Sequence, residues 1–250
     1  MIRLRNISKY YGDKQALSSV DLTCESGSTT VLIGPSGSGK STLLRAVIGL
    51  IAPDKGEVTI EGETLTPSNL LVQRRKMGYV IQEGGLFPHL TVVANISLMA
   101  RYLGWKEGEI QLRAGELCRL TKFPEEALTR YPLQISGGQR QRVSLMRALM
   151  LDPDIILLDE PLGSLDPLIR SELQSDLKDI FKTLDKTVVM VTHDIGEAGF
   201  LGDKIVFINE GKVVQTGKLQ ELLNSPKDPF ITRFINAQRS PLEYTEDSKV

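Results

Sequence analysis

Short apolar runs separated by polar turns set the frame of this chain. Thr29 to Ile33 is β-branched and apolar throughout and runs straight into a glycine cluster, which predicts a short buried strand. Met77 to Ile81, Ile155 to Asp159, Thr187 to Thr192 and Lys204 to Ile208 are runs of the same kind. Near-continuous apolar strands are covered on both faces, as in a parallel sheet. Val58 and Ile60 alternate with polar neighbours instead and predict an edge-type strand. A helical period takes over near Lys40, where Leu43, Leu44, Val47 and Ile48 share one face until the Pro53-Asp54-Lys55-Gly56 turn. Ile169, Leu173, Leu177, Ile180 and Leu184 predict another helix lying on the sheet. Between the Met77 and Ile155 strands, residues 84–150 are mostly helical in period: Val92, Ile96, Met99 and Leu103, then Ile110, Ala114 and Leu117. The frame is therefore α/β with a parallel sheet and a helical insertion. The polar tail, 238–250, is expected to fray.

Composition narrows the class without naming a chemistry. At ~150 residues per domain, 250 residues suit one α/β domain with an insertion. Hydrophobic residues at 41% and charged residues at 24% are those of a globular chain. The net charge of -1 recommends neither nucleic acid nor an anionic bilayer as the main partner, so any phosphate site must be local. Arg74-Arg75-Lys76 reads as a solvated face rather than a nucleic-acid patch. Cys24 and Cys118 are far apart, with no CxxC near either, which speaks against a disulfide framework and a structural zinc site and suits a reducing cytosol. The first residues carry charge and lack an apolar signal region, and no apolar run approaches the ~18 residues of a membrane span.

Gly34-Pro35-Ser36-Gly37-Ser38-Gly39-Lys40-Ser41 fits G-x-x-x-x-G-K-[ST] between a predicted strand and a predicted helix, the context that its mechanism requires. Glycines let backbone N–H groups converge on phosphate oxygens, and the helix N-terminus adds partial positive charge. Lys40 would then reach the β/γ-phosphates, and the Ser41 hydroxyl would face Mg²⁺. Thr42 stands where a dinucleotide fingerprint needs its third glycine, which excludes that alternative.

Asp159 and Glu160 follow four apolar residues and so emerge at the C-terminal end of a buried strand, where open α/β sheets bind ligands. Asp159 would hold Mg²⁺, while Glu160, pointing the other way, would orient and deprotonate an attacking water. The plainer alternative is a pair of acids ending a strand in a solvated turn. Ser136-Gly137-Gly138-Gln139 opens a helix with a hydroxyl cap, and Val143, Met146 and Leu149 face one way along it. Alone this is an ordinary capped helix; beside the phosphate loop it is a second helix N-terminus able to grip phosphate.

The ordered set resembles the nucleotide-binding subunit of ABC transporters over essentially the whole chain. GPSGSGKST looks like its Walker A motif, ISGGQRQRV like its signature, and IILLDEP like Walker B. Gly163 to Asp166 resembles the D-loop, Gln82 the Q-loop glutamine with its Mg²⁺ contact, and His193 the switch histidine at the γ-phosphate. Tyr11 resembles the aromatic that stacks on adenine, although Tyr10 competes for that role. Ile135 for leucine and Ser164 for alanine are mild departures. The resemblance implies a P-loop NTPase core over 1–83 and 151–237 with N-terminal antiparallel β strands, and a helical signature subdomain over 84–150. It also implies ATP and Mg²⁺ as ligands and a head-to-tail homodimer. In that dimer Lys40 of one chain and Ser136, Gly137, Gly138, Gln139 and Asp166 of the other enclose each nucleotide. His89 is left as a loop residue.

With no spanning segment in view, the resemblance implies a separate membrane permease, a substrate-binding protein upstream of it, and a peripheral place on the cytoplasmic face of the membrane. The wording of GYVIQEGGLFPHLTVVANI and VTHDIGEAGFLGDKI resembles importers of glycine betaine, choline and other quaternary amines; polyamine, sulfate and amino-acid importers share much of it. A DNA-repair or ribosomal ABC ATPase is disfavoured by the absence of paired cassettes and basic arms. A small-molecule kinase has no use for Ser136 to Gln139, and a nucleotide binder without turnover has none for Glu160 and His193 together.

Overall fold

Gly12-Asp13 turns β1 (Ile2–Tyr11) back into β2 (Lys14–Cys24), a two-residue hairpin loop between antiparallel partners Tyr11 and Lys14. In the computed structural model, which describes residues 1–82, 84–163 and 165–238, this hairpin begins a four-stranded antiparallel sheet. After β3 (Thr29–Ile33) and α1 (Lys40–Val47), β4 (Lys55–Ile60) returns to pair with β1, and the short β5 (Glu63–Thr64) closes the edge. The Val58/Ile60 strand thus has neighbours on both sides and is not an edge. Its alternation arises because only one face of this sheet is buried.

The chain continues through α2 (Leu70–Arg75), β6 (Met77–Val80), α3 (Val92–Tyr102), α4 (Glu107–Thr121) and α5 (Gly137–Leu149) to β7 (Ile155–Asp159). Beyond it come α6 (Pro167–Leu184), β8 (Thr187–Thr192), α7 (Ile195–Leu201), β9 (Lys204–Asn209), β10 (Lys212–Gly217), α8 (Leu219–Asn224) and α9 (Pro229–Asn236). The larger sheet has the order β10-β9-β3-β8-β7-β6, parallel except for β10.

Both faces of that sheet are covered, as the apolar runs require. Leu32, Leu157, Val189, Val191, Val206 and Ile208 pack toward α1 and the antiparallel sheet, while Val31, Ile33, Ile156, Leu158, Val188 and Met190 pack toward α3, α5 and α6. Each fully buried Leu or Ile contributes roughly 1.5–3 kcal/mol relative to exposure, so the apolar face of α1 is anchored firmly on the sheet.

Three details depart from the sequence pattern. Met99 is exposed, and Ala100 takes its place on the buried face of α3 with Val92 and Ile96. Ile81 lies outside β6 and is exposed. Arg74 is not a solvated charge: it donates from Nε to Ile48 O at 3.0 Å and from a terminal nitrogen to Gly49 O at 2.6 Å, satisfying carbonyls that the end of α1 leaves unpaired. Both cysteines are buried and free, and burial pushes each thiol up to about 11. Ser164 and the tail from Arg239 lie outside the described residues; Gln238 is inside them and is hydrogen-bonded at both ends of its amide.

Candidate nucleotide site

Register alone brings the chemistry together. Ile33 is paired with Thr192, Val191 with Asp159, and Leu158 with Val80, so β3, β8, β7 and β6 end at one level along the sheet. Gly34, His193 and Glu160 come directly after the first three of these strands, and Gln82 stands two residues past Val80 at the end of the fourth. This is the carboxyl edge at which open parallel sheets bind ligands.

A cleft of about 390 Å³ opens there, lined by Tyr11, Lys14, Ser36, Gly37, Lys40, Ser41, Thr42, Gln82 and Glu160, with Ala16 and Gly39 also in its wall. Two glycines of its loop are forced by backbone approach. A Cβ on Gly34 would lie 2.0 Å from Ile208 O, and one on Gly39 2.6 Å from Ala16 O, both at positive φ. The loop is thus clamped between β9 and β2, and α1 begins where Lys40 leaves it. The Lys40 ammonium is buried and donates to Gly34 O and Pro35 O, each at 2.8 Å, which bridges the loop from within. Burial pulls its pKa below the ordinary lysine value, against the opposing pull of Glu160 and Asp159. Ser38 Oγ is buried in the same turn without a hydrogen-bond partner.

Behind the loop, Ser41 Oγ donates to Asp159 Oδ1 at 2.7 Å, and Tyr79 lies beyond, its hydroxyl 3.4 Å from Asp159 Oδ2. Glu160 has the left-handed φ of 47° and turns away from Asp159. Its Oε2 stands 3.4 Å from His193 Nδ1 and 3.5 Å from Gln82 Nε2. A carboxylate, an imidazole and an amide therefore meet at one point beside the phosphate loop.

The donor set fits Mg²⁺ with a triphosphate. One carboxylate and one hydroxyl, both hard oxygen donors, adjoin the glycine-rich loop at the start of α1. No group of three His, Cys, Asp or Glu able to cage a metal occurs among the described residues, and Mg²⁺ is characteristically held by one or two carboxylates plus substrate phosphates.

Other expected site residues stand apart within one chain. Ser136, Gly137, Gly138, Gln139 and Asp166 do not line this cleft. Ser136 caps α5, accepting from Gln139 N–H at 3.2 Å while Gln139 Oε1 accepts from Ser136 N–H at 3.0 Å, and Asp166 caps α6 through Ile169 N–H. Tyr11, not Tyr10, lines the cleft. His89 lies in an exposed turn with its ring edge-on to Phe87. Sequence reasoning missed Lys14, whose signal was the Gly-Asp hairpin that sets it opposite Tyr11. It also missed Arg170, Glu197 and Gln238, which hold the His193 loop and carry no local pattern.

Residues 17–163, more than half of the chain, match the family model described as ABC transporter. The chain belongs to the ABC transporter family. It is 45% identical over 240 residues to a glycine betaine/carnitine/choline transport ATP-binding protein of Bacillus subtilis, covering 96% of this chain and 63% of that protein. It therefore spans less than two thirds of that relative's length. A glycine betaine uptake system ATP-binding protein of Escherichia coli is 42% identical, with 94% and 76% covered. The dimeric structure of a bacterial ABC transporter cassette superposes with a TM-score of 0.80 at 38% identity, covering 88% of this chain and 99% of the other. This membership accounts for a mixed α/β cassette with one antiparallel and one largely parallel sheet. No helix among the described residues is long and apolar enough to cross a membrane.

Proposed function

We propose that this chain hydrolyses ATP to power solute import through a separate membrane permease, and that the solute is an osmoprotectant such as glycine betaine, choline or another quaternary amine. The observation that carries the hydrolytic part is the common level of four strand ends, which brings Lys40, Ser41, Glu160 and Gln82 to one cleft, with Asp159 against Ser41 and His193 against Glu160. The names of the Bacillus and Escherichia relatives support the solute class.

In this reading Tyr11 stacks on adenine, and the N–H groups of residues 34–42 hold the phosphates. Lys40 exchanges its Gly34 and Pro35 carbonyls for β/γ-phosphate oxygens, a swap between acceptors already within its reach. Ser41 and Asp159, with Gln82 beside them, hold Mg²⁺, which when bound offsets phosphate charge. Glu160 orients a water in line with the γ-phosphorus and takes its proton, while His193 steadies Glu160 and the γ-phosphate. Water attack forms the new P–O bond as the β–γ bridge breaks, giving ADP and inorganic phosphate.

The cleft is open on one side, and Ser136 to Gln139 with Asp166 lie elsewhere in the same chain. A second copy turned head to tail supplies these groups across the seam and excludes water. The dimeric state of the similar cassette supports this arrangement. Residues 84–150 then act as the unit that presents Ser136. A groove of about 340 Å³, whose lining includes Leu71, Met99, Tyr102 and Leu151 together with Arg74, Arg75 and Arg147, leaves Leu71 68% and Tyr102 78% exposed, and an apolar surface rimmed by arginines is suited to the permease. Such docking puts the chain peripherally on the cytoplasmic face.

The test is uptake of labelled choline, glycine betaine and sulfate by cells expressing the chain with its permease, beside cells expressing Glu160→Gln. Quaternary-amine uptake that the variant abolishes is expected. Sulfate uptake alone would reassign the solute, and uptake indifferent to the variant would remove the chain from the energising step.

A further inference from the structure

His193 rides on a loop with open space behind it. Past β8 the chain runs through His193 and Asp194 into α7, and a cleft of about 890 Å³ separates this loop from α8 and α9, walled by Leu219, Leu223, Phe234 and Ile235. Among the described residues, the Gln238 side chain crosses the gap. Gln238, two residues beyond α9, accepts from Ile195 N–H on Oε1 at 2.8 Å and donates from Nε2 to the His193 carbonyl at 2.8 Å. A primary amide offers an acceptor and a donor on one planar head, so a single group fixes both flanks of this short segment.

The other end of the strut is firm. Ile231 and Ile235 of α9 are buried, and Phe230 and Phe234 meet Phe207 of β9 edge-on, the closer centroid at 5.2 Å. On the opposite flank Arg170 holds the loop, with Nε 3.1 Å from Glu197 Oε1 and a terminal nitrogen 3.5 Å from Asp194 Oδ2, while Thr192 Oγ1 donates to Glu197 Oε2 at 2.6 Å. Arg170 and Glu197 tie the loop to α6 and α7; Gln238 alone of these ties it to α9.

The geometry points to Gln238 as a positioning residue for hydrolysis: its amide links the end of α9 to the His193 carbonyl and the Ile195 N–H, the backbone on either side of Asp194, and thereby sets the imidazole against Glu160. This rests on the ATPase reading of the cleft. Nucleotide binding is left to the phosphate loop and Tyr11; Gln238 shares the larger cleft with Pro35 and Ser36, but its amide hydrogen bonds go to His193 and Ile195, so its loss acts on turnover rather than on affinity. The end of α9 thus has a mechanical route to the catalytic pair.

The chain has two histidines, His89 and His193, so full-length protein labelled with ¹³C at histidine Cε1 gives two signals, assigned with His89→Gln. In Gln238→Ala the His193 signal is expected to move and the His89 signal to stay. Turnover is expected to fall about tenfold with KM for ATP held within about twofold, because small misplacement of a reacting group is costly while uniform binding is spared. Gln238→Glu keeps the acceptor for Ile195 N–H and loses the donor to His193 O, so it should fall between; it carries the same readouts if the alanine variant fails to fold. An unmoved His193 signal overturns the strut. A moved signal with unchanged kcat, or with KM changed in step, overturns its part in hydrolysis. Wild-type protein without ATPase activity would instead remove the functional reading, and the histidine signals would still decide the strut.

Discussion

Ser41 and Asp159, 118 residues apart in sequence, share a hydrogen bond of 2.7 Å. The first residue lies in the opening turn of α1 and the second ends β7, so the pair is set by the packing of α1 on the sheet rather than by a local motif. Together the two oxygens mark the place a hard cation would occupy beside phosphate. Ser41→Ala and Asp159→Asn are each expected to raise the Mg²⁺ concentration needed for half-maximal ATP hydrolysis by about tenfold or more, as removal of oxygen donors and their supports does elsewhere. Titration of hydrolysis with Mg²⁺ at fixed ATP reads this. An unchanged Mg²⁺ midpoint in both variants would move the metal elsewhere.

Glu160 is the group that best meets the needs of a base. It is attached directly after Asp159 yet turned from it by a left-handed backbone, and its Oε2 is shared between His193 and Gln82 at 3.4 and 3.5 Å. Glu160→Gln keeps the shape and removes the proton acceptor. ATP affinity by equilibrium titration should stay near wild type, while single-turnover hydrolysis falls by about 10²–10⁴. Wild-type turnover in the variant would assign the base to another residue.

The parallel sheet was legible because its strands obey one simple rule. β3, β7 and β8 are buried on both faces, and nothing but an apolar run can occupy such a place. The phosphate loop was legible because backbone crowding at Gly34 and Gly39 admits only glycine. β1 and β2 gave a weaker pattern: register shifts between Leu4 and Ile7 break the alternation, and Asn6 and Ser19 adopt positive φ. Arg74 misled for another reason. Its charge run looks solvated in one dimension, whereas its partners are the carbonyls of Ile48 and Gly49, more than twenty residues away. Gln238 was hidden in the same way, since a polar residue at the start of a polar tail gives no sign of a hydrogen-bonded amide.

The separation of Ser136 from the cleft turns into a complementation test. Lys40→Ala spoils the phosphate loop and leaves Ser136 intact; Ser136→Arg does the reverse, at the added cost of about 1 kcal/mol for a lost helix cap. Each variant alone should be inactive as a dimer. Mixed in equal amounts, they should recover hydrolysis, because a mixed dimer pairs the intact Lys40 of one chain with the intact Ser136 of the other at one of its two sites. No recovery in mixtures shown to contain mixed dimers, or full activity in either variant alone, would contradict a pocket shared between copies.

Asp176 joins the helical insertion to the core. Its carboxylate is 2.6 Å from Lys122 Nζ at the end of α4 and 2.6 Å from a terminal nitrogen of Arg142 in α5, and it projects from α6. Burial by itself would raise its pKa, but the hydrogen bonds and charges of Lys122 and Arg142 prevail and hold it below the usual aspartate value. A carboxylate with a depressed folded-state pKa stabilises the fold above its unfolded value, near pH ~4, and loses that contribution as pH falls through the folded value. Asp176→Asn leaves Arg142, mostly buried, without its partner charge. The expected cost is about 3 kcal/mol, at the lower end for a broken buried pair because Lys122 stays hydrated, and it lowers Tm by about 6–12 °C in a chain of this size. Thermal melts from about pH 8 down to about pH 3 should show a constant gap between wild type and variant down to about pH 5, closing below about pH 4. A gap that is absent at neutral pH, or that widens in acid, would mean that the ion pair does not clamp α4 and α5 to α6.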